Sequence, residues 1–478
     1  MRRPSTERSD AFLEARCARQ WLGLALLVLV LAGVFALLVV IGRMPPFDRY
    51  VTDPLFFKRC LVVHVNLALV VWFYSMVAAL LLALPGRGAP GRLTRASPYL
   101  GVAGVFLMLL AAGAPGTQPV LSNYIPAIDH WLFGAGQLIF GAGVLASFLD
   151  RGVLGRNAEG RSFLEIPDAA RPGLQAVAAA LVLAAITFAL AWLHRPQGAA
   201  PEAQHELLVW GGGHVLQLAC TLAMVSVWII LLGSALGGSP IRRRSATLLF
   251  GAMLLPWTVA PLLTLAGAWS DSYRTGFTQL MRWAIFPGVL AFLCLCGAAL
   301  QRARRDGRTP APSLADPRIA AFLVSGALTL LGFALGACIR GSNTMVPAHY
   351  HASIGGVTVA FMAVTYLMLR AFGLPNPTRR LRRAAAWQPL VYGFGQIVFA
   401  AGFGFAGIHG MSRKAYGAEQ VARGFAETVG LAVMGAGGFL AIAGGLLFIG
   451  VVIALWRRGV VTHPKVDLAE GSWRYRWL

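Results

Sequence analysis

Two histidines separated by one residue, His349 and His351, open a long apolar run of the sequence, HYHASIGGVTVAFMAVTYLML. Each helical residue advances about 100° around the axis, so these two imidazoles point to opposite faces of one helix. A buried imidazole costs free energy unless it is bonded, and ionisable groups inside a membrane segment are functional by default. The pair therefore predicts one helix that ligates a metal centre on each side.

Two further histidines lie a few residues inside other apolar runs, His64 in LVVHVNLALVVWF and His214 in VWGGGHVLQ. Imidazole suits iron and copper, and haem iron takes axial histidines. A low-spin haem needs two axial ligands from two helices. A five-coordinate haem needs one ligand and leaves its other face open for a small molecule. Three of the four histidines meet the demand of two haems, and the fourth is left over.

The other histidines of the apolar part of the chain lie near the ends of the predicted membrane segments. For each of them we expect a hydrogen bond to a backbone carbonyl in a polar, partly hydrated setting rather than a metal. These residues are His130, His194, His205 and His409.

The composition indicates a polytopic membrane protein. Of 478 residues, 57% are hydrophobic and only 13% are charged, and the mean hydropathy is +0.66. Soluble domains carry roughly 25% charged residues. A window of about 19 residues predicts about twelve transmembrane helices, hence an all-α membrane protein. The predicted spans are 20–42, 56–84, 98–113, 128–149, 172–193, 206–236, 245–268, 277–300, 319–338, 348–372, 387–407 and 428–456.

The net charge of +22 follows the topology of the chain. Arginine-rich segments at 242–244, 379–383 and 457–458 fall in alternate loops, which is the positive-inside pattern. It predicts an integral protein of the inner (cytoplasmic) membrane with both termini in the cytoplasm. Anionic membrane lipid is the partner we expect for these charges, and no nucleic acid.

The same pattern divides the chain into three parts. These are a cytoplasmic N-terminal segment (1–19), one twelve-helix transmembrane domain (20–456) and a cytoplasmic C-terminal tail (457–478). In this topology His64, His214, His349 and His351 all lie a few residues below the outer surface, where they can converge on cofactors in one layer.

At this point the residues resemble subunit I of the haem–copper oxidase superfamily, which has a twelve-helix core. Its tenth helix carries a histidine, one spacer and a second histidine, as AHYHASIGG does here. The resemblance implies that His349 ligates a high-spin haem and that His351 ligates a low-spin haem. It implies His64 of the second span as the other low-spin ligand.

The resemblance extends to two other places. In the sixth helix of the family a glycine–histidine pair carries the first ligand of the non-haem metal, and here that histidine is His214. Between helices eleven and twelve a basic pair binds the haem propionates, and GIHGMSRKAY places Arg413 and Lys414 there. LVVHVN and the sixth-helix run look most like the cbb-type oxidases and nitric oxide reductases.

The chain departs from the family where the seventh helix offers two adjacent histidines to the non-haem metal. Leu262 and Leu263 fall there instead. A metal site left with one imidazole is not stable, so copper or non-haem iron is not expected. The family tyrosine beside that metal is also missing, with Leu218 in its place and Tyr273 expected in an outer loop. No carboxylate is predicted in the inner half of a span, which leaves proton pumping without a visible route.

These observations favour a copper-less dihaem protein. The low-spin haem would receive electrons from a cytochrome c or cupredoxin subunit on the outer side. The high-spin haem would bind a small gas, O2 or NO, facing an apolar pocket of His214 and the two leucines. Any activity would be that of an oxidoreductase of the cytochrome c oxidase or nitric oxide reductase type, in respiratory electron transport.

Two alternatives stay open from the sequence. One is a true terminal oxidase or nitric oxide reductase in which His130 and His409 replace the missing metal ligands. The other is a haem-free carrier or assembly protein that kept the fold, because a fold alone does not fix a function.

Overall fold

A computed structural model describes most of the chain. The described residues, with the side chains of 4–11 excepted, are 4–47, 50, 53–86, 90–154, 162–195, 198–268, 270–307, 313–415, 419 and 424–459. Most of the predicted C-terminal tail (457–478) therefore lies outside the described residues.

Within those residues, twelve helices are long and apolar enough to cross a membrane, which confirms the predicted number. We number them as spans in chain order. They are Phe12–Ile41, Pro54–Leu82, Arg92–Gly113, Trp131–Arg151, Arg171–Leu193, Pro201–Leu236, Arg243–Leu265, Asp271–Arg305, Pro317–Ala337, Met345–Ala371, Arg379–Ile408 and Phe425–Arg457.

The first helix is longer than predicted. It runs over Pro4–Ile41, so most of the segment assigned to residues 1–19 belongs to the same helix as the first span. Glu14 lies in this helix, 4% exposed, and its carboxylate is 2.5 Å from Nη2 of the buried Arg151. The first span as the structure has it, Phe12–Ile41, thus includes one carboxylate, that of Glu14, at the end predicted to be cytoplasmic. Its partner makes the charge tolerable there, because a buried charge must be paired.

Four spans contain short segments that are not α-helical, among them the fourth, which ends 3₁₀-helical over Leu149–Arg151. The second span turns π-helical over Asn66–Val71, directly after His64, and the eighth over Met281–Ile285. The seventh is 3₁₀-helical over Leu255–Val259, where Pro256 cannot donate a ladder hydrogen bond. Such insertions in α-helices are frequent at functional sites.

The connection between the third and fourth spans contains two short antiparallel strands, β1 (Pro119–Val120) and β2 (Ala127–Ile128). Their register pairs the first residue of β1 with the last of β2. The hairpin loop between them, 121–126, contacts the sixth span, as described below.

The chain divides into two compact units. Unit 1 comprises Met1–Leu29, Val65–Ile230 and Ser239–Ala299. Unit 2 comprises Val30–His64, Leu231–Gly238 and Leu300–Leu478. Unit 2 has an apolar core around the eleventh span, formed by Val40, Ala348, Phe399, Phe403, Ala406, Met411, Leu431 and Met434.

Glycine brings the last two spans of unit 2 close together. A Cβ added at Gly402 would overlap the main-chain nitrogen of Met434 and the carbonyl oxygen of Gly430. One added at Gly395 would overlap the main chain of Ala441. Apolar membrane helices gain no hydrophobic free energy by leaving lipid, so their association depends on such close packing.

We expect Gly402→Ala to destabilise the protein. Overpacking two main chains costs about 1–3 kcal/mol, which exceeds the gain in helix propensity of about 1 kcal/mol on replacing glycine. The measurement is the midpoint of thermal unfolding in detergent.

Gly445→Ala is the matched control, because a Cβ at Gly445 meets nothing within 4 Å. Its midpoint should equal or exceed that of the wild type. Equal midpoints for the two variants would contradict this packing.

Candidate functional site

His64 of the second span is hydrogen-bonded to the first span. Its Nδ1 lies 2.9 Å from the carbonyl oxygen of Ala32. A carbonyl only accepts hydrogen bonds, so Nδ1 carries the proton and Nε2 carries a lone pair. This is the tautomer in which a metal-ligating histidine is oriented by a second hydrogen bond.

His351 of the tenth span packs against the eleventh span. Its ring centroid is 4.5 Å from that of Phe399 and 6.3 Å from that of Phe403. It also lies within electrostatic range of His64 and Arg43. Unit 2 therefore brings the two histidines of the expected low-spin pair into one apolar neighbourhood.

His349 faces a different neighbour, the ninth span. Its Nδ1 donates to the carbonyl oxygen of Gly332 at 2.6 Å, which again leaves Nε2 with the lone pair. A Cβ on Gly336, one turn later, would lie 2.8 Å from the same Nδ1. Gly332 therefore supplies the acceptor for this imidazole, and the missing side chain of Gly336 leaves room for its ring. His349 and His351 contact different spans, as their predicted separation around the helix requires.

Arg413 and Lys414 lie in the connection after the eleventh span. Lys414 is exposed, whereas Arg413 is partly buried. Among the described residues, the buried Nε of Arg413 has no hydrogen-bond acceptor. A buried donor without an acceptor costs about 1–3 kcal/mol, and a carboxylate such as a haem propionate is the acceptor that suits a guanidinium best. This arginine therefore fits the predicted propionate site.

The connection that carries this basic pair is held by the start of the tenth span. Ser412 forms a β-bridge with Asn343, and the main-chain nitrogen of Thr344 donates to the carbonyl of Met411 at 2.9 Å. Sequence reasoning missed a third anchor, Arg43, which is 2% exposed just after the first helix. A signal was present, since Arg43 follows an apolar span on the side where the positive-inside pattern predicts few arginines.

His214 belongs to unit 1 and is enclosed by aromatic rings. It is 2% exposed, and its Nδ1 donates to the carbonyl of Trp210 at 2.7 Å. The ring centroids of Tyr124, Trp210 and Phe277 lie 4.5, 4.6 and 5.8 Å from that of the imidazole. Leu262, which was expected beside it, is 66% exposed.

The three glycines before His214 each meet an aromatic side chain of unit 1. A Cβ on Gly211 would overlap Phe277 and Tyr273, one on Gly212 would overlap Phe188, and one on Gly213 would overlap Tyr124. These clashes would all occur at less than 3.0 Å. The glycine triplet therefore lets aromatic residues of the chain itself approach the sixth span closely.

The prediction that Tyr273 lies in an outer loop is wrong. Tyr273 is fully buried in the helix Asp271–Leu280, whose N-cap is Ser270. Its hydroxyl donates to the carbonyl of Leu207 at 2.8 Å and accepts from the N–H of Gly211 at 2.9 Å. These are the two groups that an α-helix pairs with each other. The Ser-Asp pair was a helix-start signal that the sequence reasoning did not use.

The hairpin loop is held against the sixth span residue by residue. The main-chain N–H and the side-chain amide of Asn123 both donate to the carboxylate of Glu206. The hydroxyl of Tyr124 lies 3.3 Å from Oε1 of Gln217. Burial, and secondly the Glu206 carboxylate, raise the pKa of Tyr124 well above its usual value, so this hydroxyl stays protonated.

The remaining candidate histidines have structural contacts with the backbone. His205 Nε2 donates to the carbonyl of Ile125 at 2.7 Å, and His409 Nδ1 donates to that of Phe405 at 2.8 Å. His130 caps the fourth span, because its Nδ1 accepts from the N–H of Leu132 at 3.2 Å. His194 is the C-cap of the fifth span.

Within the part of the chain that the structure describes, no group of three or more His, Cys, Asp and Glu side chains is placed to hold a metal ion. A haem takes only one or two ligands from the protein, so the histidines of the second and tenth spans are the candidates for that cofactor.

Comparisons with known proteins point in one direction. The sequence model of the family described as Cytochrome C and Quinol oxidase polypeptide I matches residues 16–441. An uncharacterized protein of Rickettsia prowazekii is 24% identical over 90% of this chain and 94% of its own. An uncharacterized protein of Aquifex aeolicus is 29% identical over 74% of this chain and 84% of its own.

Among solved structures, a heme-copper terminal oxidase dimer determined by cryo-EM superposes with a TM-score of 0.69. The match covers 98% of this chain and 86% of that chain, at 15% identity. At this identity the likeness shows the fold, a twelve-helix arrangement of the haem–copper oxidase type.

We expect Tyr273→Phe to destabilise unit 1, because the tyrosine hydroxyl is hydrogen-bonded to the carbonyl of Leu207 and to the N–H of Gly211, both in the sixth span before His214. Loss of these two hydrogen bonds should cost about 1–3 kcal/mol in total, since each contributes about 0.5–1.5 kcal/mol; the measurement is a lower midpoint of thermal unfolding in detergent.

Tyr99→Phe is the control for the same chemical change. Tyr99 is 61% exposed, and its hydroxyl contacts only Gln20 Nε2, at 3.4 Å, among the described hydrogen bonds. An equally large fall in the unfolding midpoint of Tyr99→Phe would contradict the role given to the Tyr273 hydroxyl.

Proposed function

Because the chain belongs to the cytochrome c and quinol oxidase polypeptide I family, we propose that it is a membrane protein that binds two haems. His64 and His351 ligate one iron as a low-spin pair, and His349 ligates the second iron alone. Haem iron supplies one-electron transfer and, where an axial position is open, a place for a small gas such as O2 or NO.

The tautomers of the histidines support this proposal most directly. In both His64 and His349 the Nδ1 proton is committed to a carbonyl of a neighbouring span, at 2.9 and 2.6 Å. This hydrogen bond orients each ring and leaves the lone pair of Nε2 to bind a metal. A carbonyl partner of this kind also raises the basicity of a metal-bound imidazole.

The basic pair Arg413 and Lys414 also supports the proposal, because it could bind the haem propionates. The partly buried guanidinium of Arg413 has a buried Nε that lacks an acceptor in the described structure. A propionate would satisfy it, and Lys414 would add a second positive charge for the other propionate.

We further propose that the non-haem metal of the family is not bound at His214. A single imidazole binds copper or iron weakly, because the number of preorganised ligands dominates affinity. Leu262 and Leu263 supply no metal ligand, and aromatic rings pack around the imidazole. His214 then acts by packing and hydrogen bonding.

The topology suggests the direction of electron flow. We propose that an electron donor of the cytochrome c or cupredoxin type meets the outer side, where the second and tenth spans carry their histidines. The termini lie in the cytoplasm, and the chain does not pump protons. If the protein is active, it is an oxidoreductase that reduces a small gas.

We expect the purified protein to contain two haems per chain, one low-spin and one high-spin, and no stoichiometric copper or non-haem iron. Pyridine haemochrome analysis, electron paramagnetic resonance and elemental analysis measure these quantities. One copper or non-haem iron per chain would favour a terminal oxidase or nitric oxide reductase with relocated ligands. A protein without haem would favour a carrier or assembly role and refute the proposal.

We expect His64→Ala and His351→Ala each to abolish the low-spin signal and to leave the high-spin signal. His349→Ala should do the reverse, because each imidazole serves one iron. The measurement is the electron paramagnetic resonance spectrum of the oxidised protein.

His409→Ala is the control, since the described hydrogen bond and ring contact of His409 are both with Phe405 of its own helix. It should retain both signals. Survival of both signals in all three ligand variants would contradict the assignment.

A further inference from the structure

Arg43 follows the first helix, and its guanidinium is directed at one short stretch of main chain. It is 2% exposed. Its Nη2 donates to the carbonyl oxygens of Ser412, Arg413 and Ala415 at 3.0, 3.3 and 2.9 Å. The stretch so bound contains both residues of the basic pair.

An aromatic ring also lies against this guanidinium. The Cζ of Arg43 lies 5.3 Å from the centroid of Phe403, a distance typical of a cation–π contact. Phe403 in turn lies 6.3 Å from the ring of His351. The buried charge is therefore separated from the expected low-spin ligand by one aromatic side chain.

We propose that Arg43 is a positioning residue with two effects. It clamps the main chain of 412–415, so that Arg413 and Lys414 are held at fixed positions in unit 2. Its charge also raises the reduction potential of an iron held by His64 and His351. The second effect rests on the function proposed above, and the first does not.

The first effect follows from the geometry of the guanidinium. One flat group with five N–H donors can satisfy several carbonyls at once, which a lysine ammonium on a flexible stem does less well. The neighbouring anchors, the Ser412–Asn343 bridge and the Thr344–Met411 hydrogen bond, hold only the beginning of this stretch. Beyond them, Arg43 contacts the carbonyl of Ala415, on the far side of the basic pair.

The second effect follows from the sign of the charge. Reduction of the iron removes one positive charge from the site. A fixed cation nearby disfavours the oxidised form more than the reduced form, and it does so more strongly in a buried setting than in water. Loss of Arg43 should therefore lower the reduction potential.

Limited trypsinolysis in detergent tests the clamp, because Arg413 and Lys414 are themselves cleavage sites. Cleavage after these two residues, quantified by mass spectrometry, should rise several-fold in Arg43→Met and in Arg43→Lys. The control is Arg340→Met, since Arg340 is exposed and donates to the carbonyls of Ala337 and Ile339 beside it. Wild-type cleavage rates in both Arg43 variants would refute the clamp.

Redox titration of the low-spin signal tests the charge effect. Arg43→Met should shift the midpoint potential downward, whereas Arg43→Lys should keep it near the wild-type value because the charge is retained. An unchanged potential in Arg43→Met, or an equal fall in both variants, would refute this effect. If Arg43→Met does not fold, Arg43→Gln replaces it, with the same two outcomes.

The two tests separate the inference from the proposed function. A protein without haem would refute the proposed function and the charge effect. Trypsinolysis needs no haem, so it would still test the clamp in that protein. A haem protein with wild-type cleavage and wild-type potential in the Arg43 variants would refute the inference alone.

Discussion

A hydrogen bond from imidazole Nδ1 to a backbone carbonyl is the interaction on which the candidate sites depend. His64 bonds Ala32, His349 bonds Gly332 and His214 bonds Trp210, at 2.6–2.9 Å. In each case the bond fixes the ring and the tautomer and leaves Nε2 as a lone-pair donor. Two of these bonds join neighbouring spans, so the same contact packs two helices together and orients a candidate metal ligand.

Close packing through glycine serves the histidines in two opposite ways. On the ninth span, Gly336 leaves room for the ring of His349, which reaches the carbonyl of Gly332. On the sixth span, the triplet before His214 admits aromatic rings of the chain itself. Glycine therefore makes room for an imidazole ring on the ninth span and for aromatic side chains on the sixth.

Buried arginines anchor polypeptide carbonyls in both units. Arg151 is paired with Glu14 and donates to the carbonyls of Leu81 and Leu84 at 2.8 and 2.7 Å. Arg43, which follows the C-terminal end of the first helix, donates to main-chain carbonyls of 412–415. In a membrane protein such carbonyls lie beyond the reach of the helix ladder, so a guanidinium with several donors is an effective partner.

The sequence by itself determined the twelve spans, because a run of about 20 apolar residues in lipid can satisfy its backbone only as a helix. It also determined that His349 and His351 face different neighbours, since a residue spacing of two fixes directions around a helix. Only the tertiary structure decided which carbonyl receives each Nδ1 proton and which rings surround His214. It likewise placed Tyr273 and Arg43, whose partners lie 66 and up to 372 residues away in the chain. Local propensity and periodicity carry no information about contacts over such separations, which arise from the packing of one span against another.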